Sequence, residues 1–123
     1  MEQAIDKTMV TRAIISKIQD ERKPKKIKTN HVIGYDSPNK ISIKGRNKEY
    51  VPDIAAVFDN SISVYEIELN KTMPFEKWRL LSLYARENNG NLFLVVPDFL
   101  TEPIKEKIKE KEINAGIIYF KTE

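Results

Sequence analysis

The apolar positions of this chain change period several times, and each change marks an element. From residue 2 to about 20, Ile5, Met9 and Ala13 run beside Val10, Ile14 and Ile18, the stripe of an amphipathic helix, with Glu2 and Asp6 on one side of it. Glu21-Arg22-Lys23-Pro24 ends that helix, because proline disfavours helical geometry in the residue before it. Strands are then expected at 31–35 and 40–44, separated by the turn-forming Asp36-Ser37-Pro38-Asn39. Two more follow, one in Val51 to Phe58 and one in Val64 to Leu69, where Ile, Val, Phe and Tyr are frequent. Pro74 to Asn88 has helical spacing, with Phe75, Trp78, Leu81 and Ala85 as its buried row and Asn89-Gly90 as its stop. Leu92 to Val96 is apolar throughout and reads as a central strand. Thr101 looks like an N-cap for a Lys/Glu-rich helix reaching about Glu112, and Gly116 to Phe120 is a last strand. The expected order is therefore α-β-β-β-β-α-β-α-β in one α/β domain over residues 1–123, with no repeat or linker dividing it.

Composition narrows the setting. The absence of cysteine excludes a disulfide framework and thiolate zinc sites, and fits a reducing cytoplasm. The start of the chain lacks a basic region followed by an apolar run, and no stretch approaches the ~20 apolar residues of a membrane span. A soluble cytoplasmic protein with no membrane partner is expected. Net charge is +3, but residues 1–48 hold 12 Lys and Arg against 5 Asp and Glu, a surplus of +7, while residues 49–123 hold 9 against 13, a deficit of −4. A basic half beside an acidic one suits a polyanion gripped in one place and processed in another.

The acids of the two middle strands carry the chemistry. Asp59-Asn60, taken as a two-residue hairpin loop, sets Phe58 against Ser61 and Asp53 directly opposite Glu66. Opposed strand residues hold their Cβ atoms about 4.5–5.5 Å apart, so these two carboxylates can share one divalent cation. Glu68 lies on the same face, because strand side chains alternate, and the carbonyl of Ile67 is left near the cluster. Acids so packed repel one another unless a hard cation sits among them; the competing reading is a solvated acidic ladder on a strand edge.

Pro52-Asp53 followed by Glu66-Ile67-Glu68 resembles the PD-(D/E)xK nuclease superfamily, whose strand-borne "PD" and "ExK" elements hold magnesium for phosphodiester hydrolysis. The resemblance implies a restriction-endonuclease-like, three-layer core with a mixed central sheet flanked by helices, and it spans nearly the whole chain. It implies endonuclease-like cleavage of DNA, with Mg (or Mn) held by Asp53, Glu66 and the Ile67 carbonyl, and a possible homodimer because many relatives act on both strands. Glu68 stands where the family usually has lysine, and a glutamate supplies no positive charge; it is left as general base or second-metal ligand. In members whose lysine lies elsewhere, the role carries over here to Lys71, just after the strand, or to Lys77 on the following helix, with Tyr84 two turns on. Lys77 reads equally well as an exposed helix lysine. Glu2 or Asp6 is an outer carboxylate by the same resemblance and an ordinary helix-start acid by pattern.

Lys40, Lys44, Arg46 and Lys48 precede the Asp53 strand and are the expected nucleic-acid contacts. His31 reads as a strand residue, not a ligand, and Trp78 as core. Two rivals stand beside the nuclease: an inactive nuclease-like fold that binds DNA or a protein partner, suggested by the missing lysine, and a small basic RNA-binding domain, weakened by the lack of RNA-binding motifs.

Overall fold

The computed structural model describes residues 6–42 and 48–122. A five-stranded mixed sheet carries one helix on one face and two on the other, a mixed α/β arrangement. Helix α1 (Lys7–Glu21) starts where Asp6 accepts the Met9 N–H at 2.7 Å, so its carboxylate serves as an N-cap. Val10, Ile14 and Ile18 bury one row of the predicted stripe and Ile15 joins them, while Met9 and Ala13 of the other row are exposed; the helix stops before Lys23, which takes a left-handed φ of 47° ahead of Pro24.

The first expected strand is not one. Residues 31–35 form a loop, closed where Thr29 N–H donates to the Asp36 carbonyl at 2.9 Å and turned at Gly34, whose φ is +101°. Strand β1 lies earlier, at Lys26–Lys28, where Ile27 alone faces the core between two lysines. Three residues with a single apolar position give no period to read. Of the expected 40–44 strand, Ile41–Ser42 is strand β2, paired with β3 (Glu49–Tyr50) in a separate two-stranded ladder; residues 43 and 44 lie outside the described residues. Among the described residues five strands, not four, precede the second helix.

Strands β4 (Ile54–Val57) and β5 (Ile62–Ile67) form the expected hairpin in the expected register. Phe58 N–H donates to the Ser61 carbonyl at 2.8 Å, and Val57 pairs with Ile62 and Ile54 with Tyr65. From β5 the chain crosses through α2 (Phe75–Glu87) to β6 (Leu92–Pro97), then through a 3-10 turn and α3 (Thr101–Glu110) to β7 (Gly116–Phe120). Both crossovers make parallel pairs, and the sheet order is β1-β4-β5-β6-β7. β6 is an interior strand between β5 and β7, with Leu94, Val95 and Val96 fully buried. Alternation sends Val64, Leu92 and Leu94 toward α2 and α3, and Tyr65, Ile67 and Val95 toward α1.

Asn89, not Gly90, takes the left-handed turn after α2, with φ 61°. Gly90 is needed for another reason: a Cβ there would lie 1.8 Å from the Ile62 carbonyl oxygen. Thr101 is not a cap either. The 3-10 turn Asp98–Leu100 runs straight into α3, and the Thr101 hydroxyl is buried with no hydrogen-bond partner among the described residues. No helix among the described residues is long and apolar enough to cross a membrane.

Candidate active site

Asp53 occupies a bend immediately before β4, where the ladder ends for a covalent reason. Continued past Ile54 and Tyr65, the register would oppose Asp53 to Glu66 and then Pro52 to Ile67, and Pro52 has no N–H to donate. The Ile67 N–H is taken instead by the Asp53 carboxylate, at 2.8 Å from Oδ2. On the other flank the buried Thr29 hydroxyl donates to the Asp53 carbonyl at 2.7 Å. The Asp53 N–H donates to Glu66 Oε1 at 2.7 Å, so the two acids are bound to each other through the backbone as well as set side by side.

Both carboxylates are buried, Asp53 at 4% exposure and Glu66 at 1%. Lysines from two helices compensate them. Lys77 of α2 places Nζ 2.9 Å from Glu66 Oε2. Lys7, in the first turn of α1, lies 3.3 Å from Asp53 Oδ1 and 3.2 Å from Oδ2. His31 Nε2 is 2.7 Å from Asp53 Oδ1, and its backbone N–H donates to the Thr29 hydroxyl. The Trp78 indole N–H donates to Glu68 Oε2 at 2.6 Å.

The titration behaviour follows from this crowding. Burial, and then the Asp53 charge, push the Glu66 carboxyl up to about 7 against the pull of Lys77. Glu68 is raised by its own burial, opposed by the Trp78 hydrogen bond. Burial of Lys77 favours its neutral form, but Glu66 first, and then Asp53 and Glu68, outweigh it and hold the ammonium above its usual range. The site is thus a proton-holding carboxylate next to a firmly charged lysine.

Of the expected site residues, Asp53, Glu66 and Lys77 are brought together directly, and Glu68 joins them through Trp78, Lys77's neighbour on α2. Lys71 sits in the exposed turn after β5 with no ion pair among the described residues. Tyr84 lies two turns along α2 from Lys77, in a cleft beside Ile41 and Leu80, apart from the carboxylates. Asp6 holds Met9, and Glu2 lies outside the described residues. Lys40 pairs with Glu49 at 3.9 Å and Lys48 is exposed, while Lys44 and Arg46 lie outside the described residues.

Sequence reasoning missed Lys7 and Thr29 and misjudged His31. Trp78 offered a usable signal, because a buried indole N–H needs an acceptor and Glu68 is the acid one strand away. For a cation, the donor chemistry is suitable: two carboxylates and the Ile67 carbonyl, to which Pro52 cannot donate, are hard oxygen ligands. The present arrangement pairs the carboxylate oxygens with lysine, histidine and amide groups, and no three His, Cys, Asp or Glu groups among the described residues are grouped to hold a metal ion. Comparison with family models, with curated proteins and with solved structures finds no match to this chain.

Proposed function

We propose that this protein is a metal-dependent nuclease of the PD-(D/E)xK type with a restriction-endonuclease-like core, hydrolysing phosphodiesters in DNA. The observation that carries the reading is Lys77: its ammonium reaches Glu66 from α2 and brings to the paired acids the positive charge that Glu68 cannot supply. The element order supports it too, since α1, the antiparallel β1-β4-β5 set, α2 and parallel β6 follow the order the resemblance implies.

Asp53, Glu66 and the Ile67 carbonyl would hold Mg²⁺ or Mn²⁺, which when bound supplies Lewis acidity toward a phosphate oxygen and lowers the pKa of a coordinated water. Lys77 places a fixed positive charge where negative charge develops on the phosphoryl oxygens. Burial and the Asp53 charge push the Glu66 carboxyl up to about 7, so a cation held there would compete with a proton. Glu68, raised by burial and held by Trp78, is placed to accept a proton from the attacking water. Thr29 and His31 fix the backbone and carboxylate of Asp53. A cation held at Asp53 would compete with the Lys7 ammonium for that carboxylate, and Lys7 displaced from it would be available to a phosphate.

One observation favours a second reading, a DNA-binding protein without chemistry. Asp53 already has Lys7, His31 and the Ile67 N–H as partners, enough to neutralise it with no metal. Incubation with duplex, single-stranded and branched DNA in Mg²⁺ or Mn²⁺ separates the two. Cleavage lost in Asp53→Asn and in Lys77→Met supports the nuclease; binding without cleavage by the wild type on every substrate supports the second reading.

A further inference from the structure

The chain from Arg22 to Tyr35 contains five lysines and arginines and no acid. Arg22 is committed elsewhere, donating to the Tyr65 hydroxyl at 3.0 Å and lying over the Phe58 ring. Lys23 and Lys25 lie in the turn after α1, and Lys26 and Lys28 are carried by β1, the edge strand of the sheet. Lys26 pairs with Val57 and Lys28 with Ala55, and Ala55 in turn with Val64. Alternation therefore places both lysines on the sheet face that carries Glu66 and Lys77. They sit two residues apart, about 7 Å along a strand, a spacing that suits a repeating polyanion. The strand leads straight into the site, because Thr29, the next residue, holds Asp53.

The acid that ends this basic run is turned back onto it. Asp36 closes the 29–36 loop, bridges Lys28 through the backbone and forms an ion pair with the Lys26 ammonium. Lys26, and more weakly Lys28, hold the Asp36 carboxyl below its usual range. Nothing in the core demands this contact, since both side chains are exposed. An anionic oxygen thus already occupies the place where a phosphate would bind.

We propose that the β1 edge is a phosphate-contacting rail, Lys26 and Lys28 gripping one nucleic-acid strand beside Asp53, and that Asp36 occupies Lys26 in the free protein as an internal competitor. The proposal rests on the nucleic-acid reading of the site. It shifts the contact surface from the Lys40–Lys48 region to β1 and makes one acid a brake on binding.

The test is fluorescence anisotropy of a labelled 20-mer DNA, single-stranded and duplex, titrated in EDTA at several salt concentrations. Lys26→Ala/Lys28→Ala should flatten the dependence of log affinity on log salt by about two. Asp36→Asn should tighten binding severalfold at low salt. A merely structural Asp36–Lys26 pair would give no tightening. An unchanged salt slope in the double variant, no tightening in Asp36→Asn, or competition by an acidic peptide as strong as by DNA would each overturn the rail. If the double variant fails to fold, Lys26→Gln/Lys28→Gln and Asp36→Asn carry the same comparison. Cleavage of the same DNA by the wild type in Mg²⁺ is scored separately, so loss of the nuclease reading and loss of the rail are distinct results.

Discussion

Replacing Glu66 by glutamine should abolish a specific pH dependence of stability in metal-free protein. Each tenfold change in proton affinity is worth about 1.4 kcal/mol, so the rise of this carboxyl from 4.5 to about 7 makes its ionisation cost about 3 kcal/mol more in the folded than in the unfolded chain. The sign follows from proton counting. Between those two values the folded protein holds a proton that the unfolded chain has released, so stability is full below about pH 4.5 and falls as pH rises through about 7. Glutamine keeps an acceptor for the Asp53 N–H but cannot ionise. It leaves Lys77 beside a neutral partner, as protonated Glu66 does in the wild type, with Asp53 and Glu68 still favouring its ammonium. Urea unfolding in EDTA at pH 5, 6, 7 and 8 should therefore show the wild type losing up to about 3 kcal/mol relative to Glu66→Gln, equivalent to about 10 °C in thermal midpoint for a domain of this size. Parallel curves for the two proteins would refute the argument, because they would mean that Glu66 ionises as easily inside the fold as outside it.

Three further outcomes follow from single contacts. Lys77→Met should reduce cleavage at least about 100-fold while Lys77→Arg retains part of it, measured as single-turnover rates, since the ammonium is the only site cation on α2 that contacts Glu66 among the described residues. Trp78→Phe should destabilise by about 1–2 kcal/mol with a loss that grows as pH rises, because the ionised Glu68 keeps no indole donor; carboxyl titration by NMR should show Glu68 raised further. Gly90→Ala should cost about 3 kcal/mol or more in chemical unfolding, since a Cβ 1.8 Å from the Ile62 carbonyl oxygen forces the β5–α2 junction apart.

What could be read from the sequence divides along physical lines. The hairpin register was legible because a two-residue loop permits one pairing, and Asp53 opposite Glu66 follows from it without any long-range information. Helix α2 was legible from its apolar row, and β6 from its unbroken one. Strand β1 was not, since Lys26-Ile27-Lys28 has one buried residue and takes its identity from pairing with β4, 29 residues downstream at Ile27 opposite Ala56. Residues 31–35 misled because Val32, Ile33 and Tyr35 have strand chemistry, while Gly34 at φ +101° and the Thr29–Asp36 closure impose a loop that leaves Ile33 98% exposed. For the site, the acids were legible and their cations only in part. Lys77 could be placed on a helix edge, but whether it turned inward depended on where α2 packs.

Long sequence separation explains why Lys7 was missed and His31 was read only as a strand residue. Asp53 is approached from the α1 side by Lys7, 46 residues earlier, and by His31, 22 residues earlier. Neither distance corresponds to any local period, and His31 arrives only because the loop after β1 turns it back over the end of β4. An acid pair buried this deeply must be neutralised by protons, by lysines or by a metal ion. Here the lysines are in place on both acids, and burial beside Asp53 raises the affinity of Glu66 for a proton. A site built only for stability would be better served by apolar residues, since a buried ion-pair network returns little net free energy. Under the proposed nuclease reading, two acids kept at the end of a truncated ladder, with the Glu66 carboxyl raised and Lys7 and Lys77 as their present counter-charges, would let a metal ion take the place of a lysine.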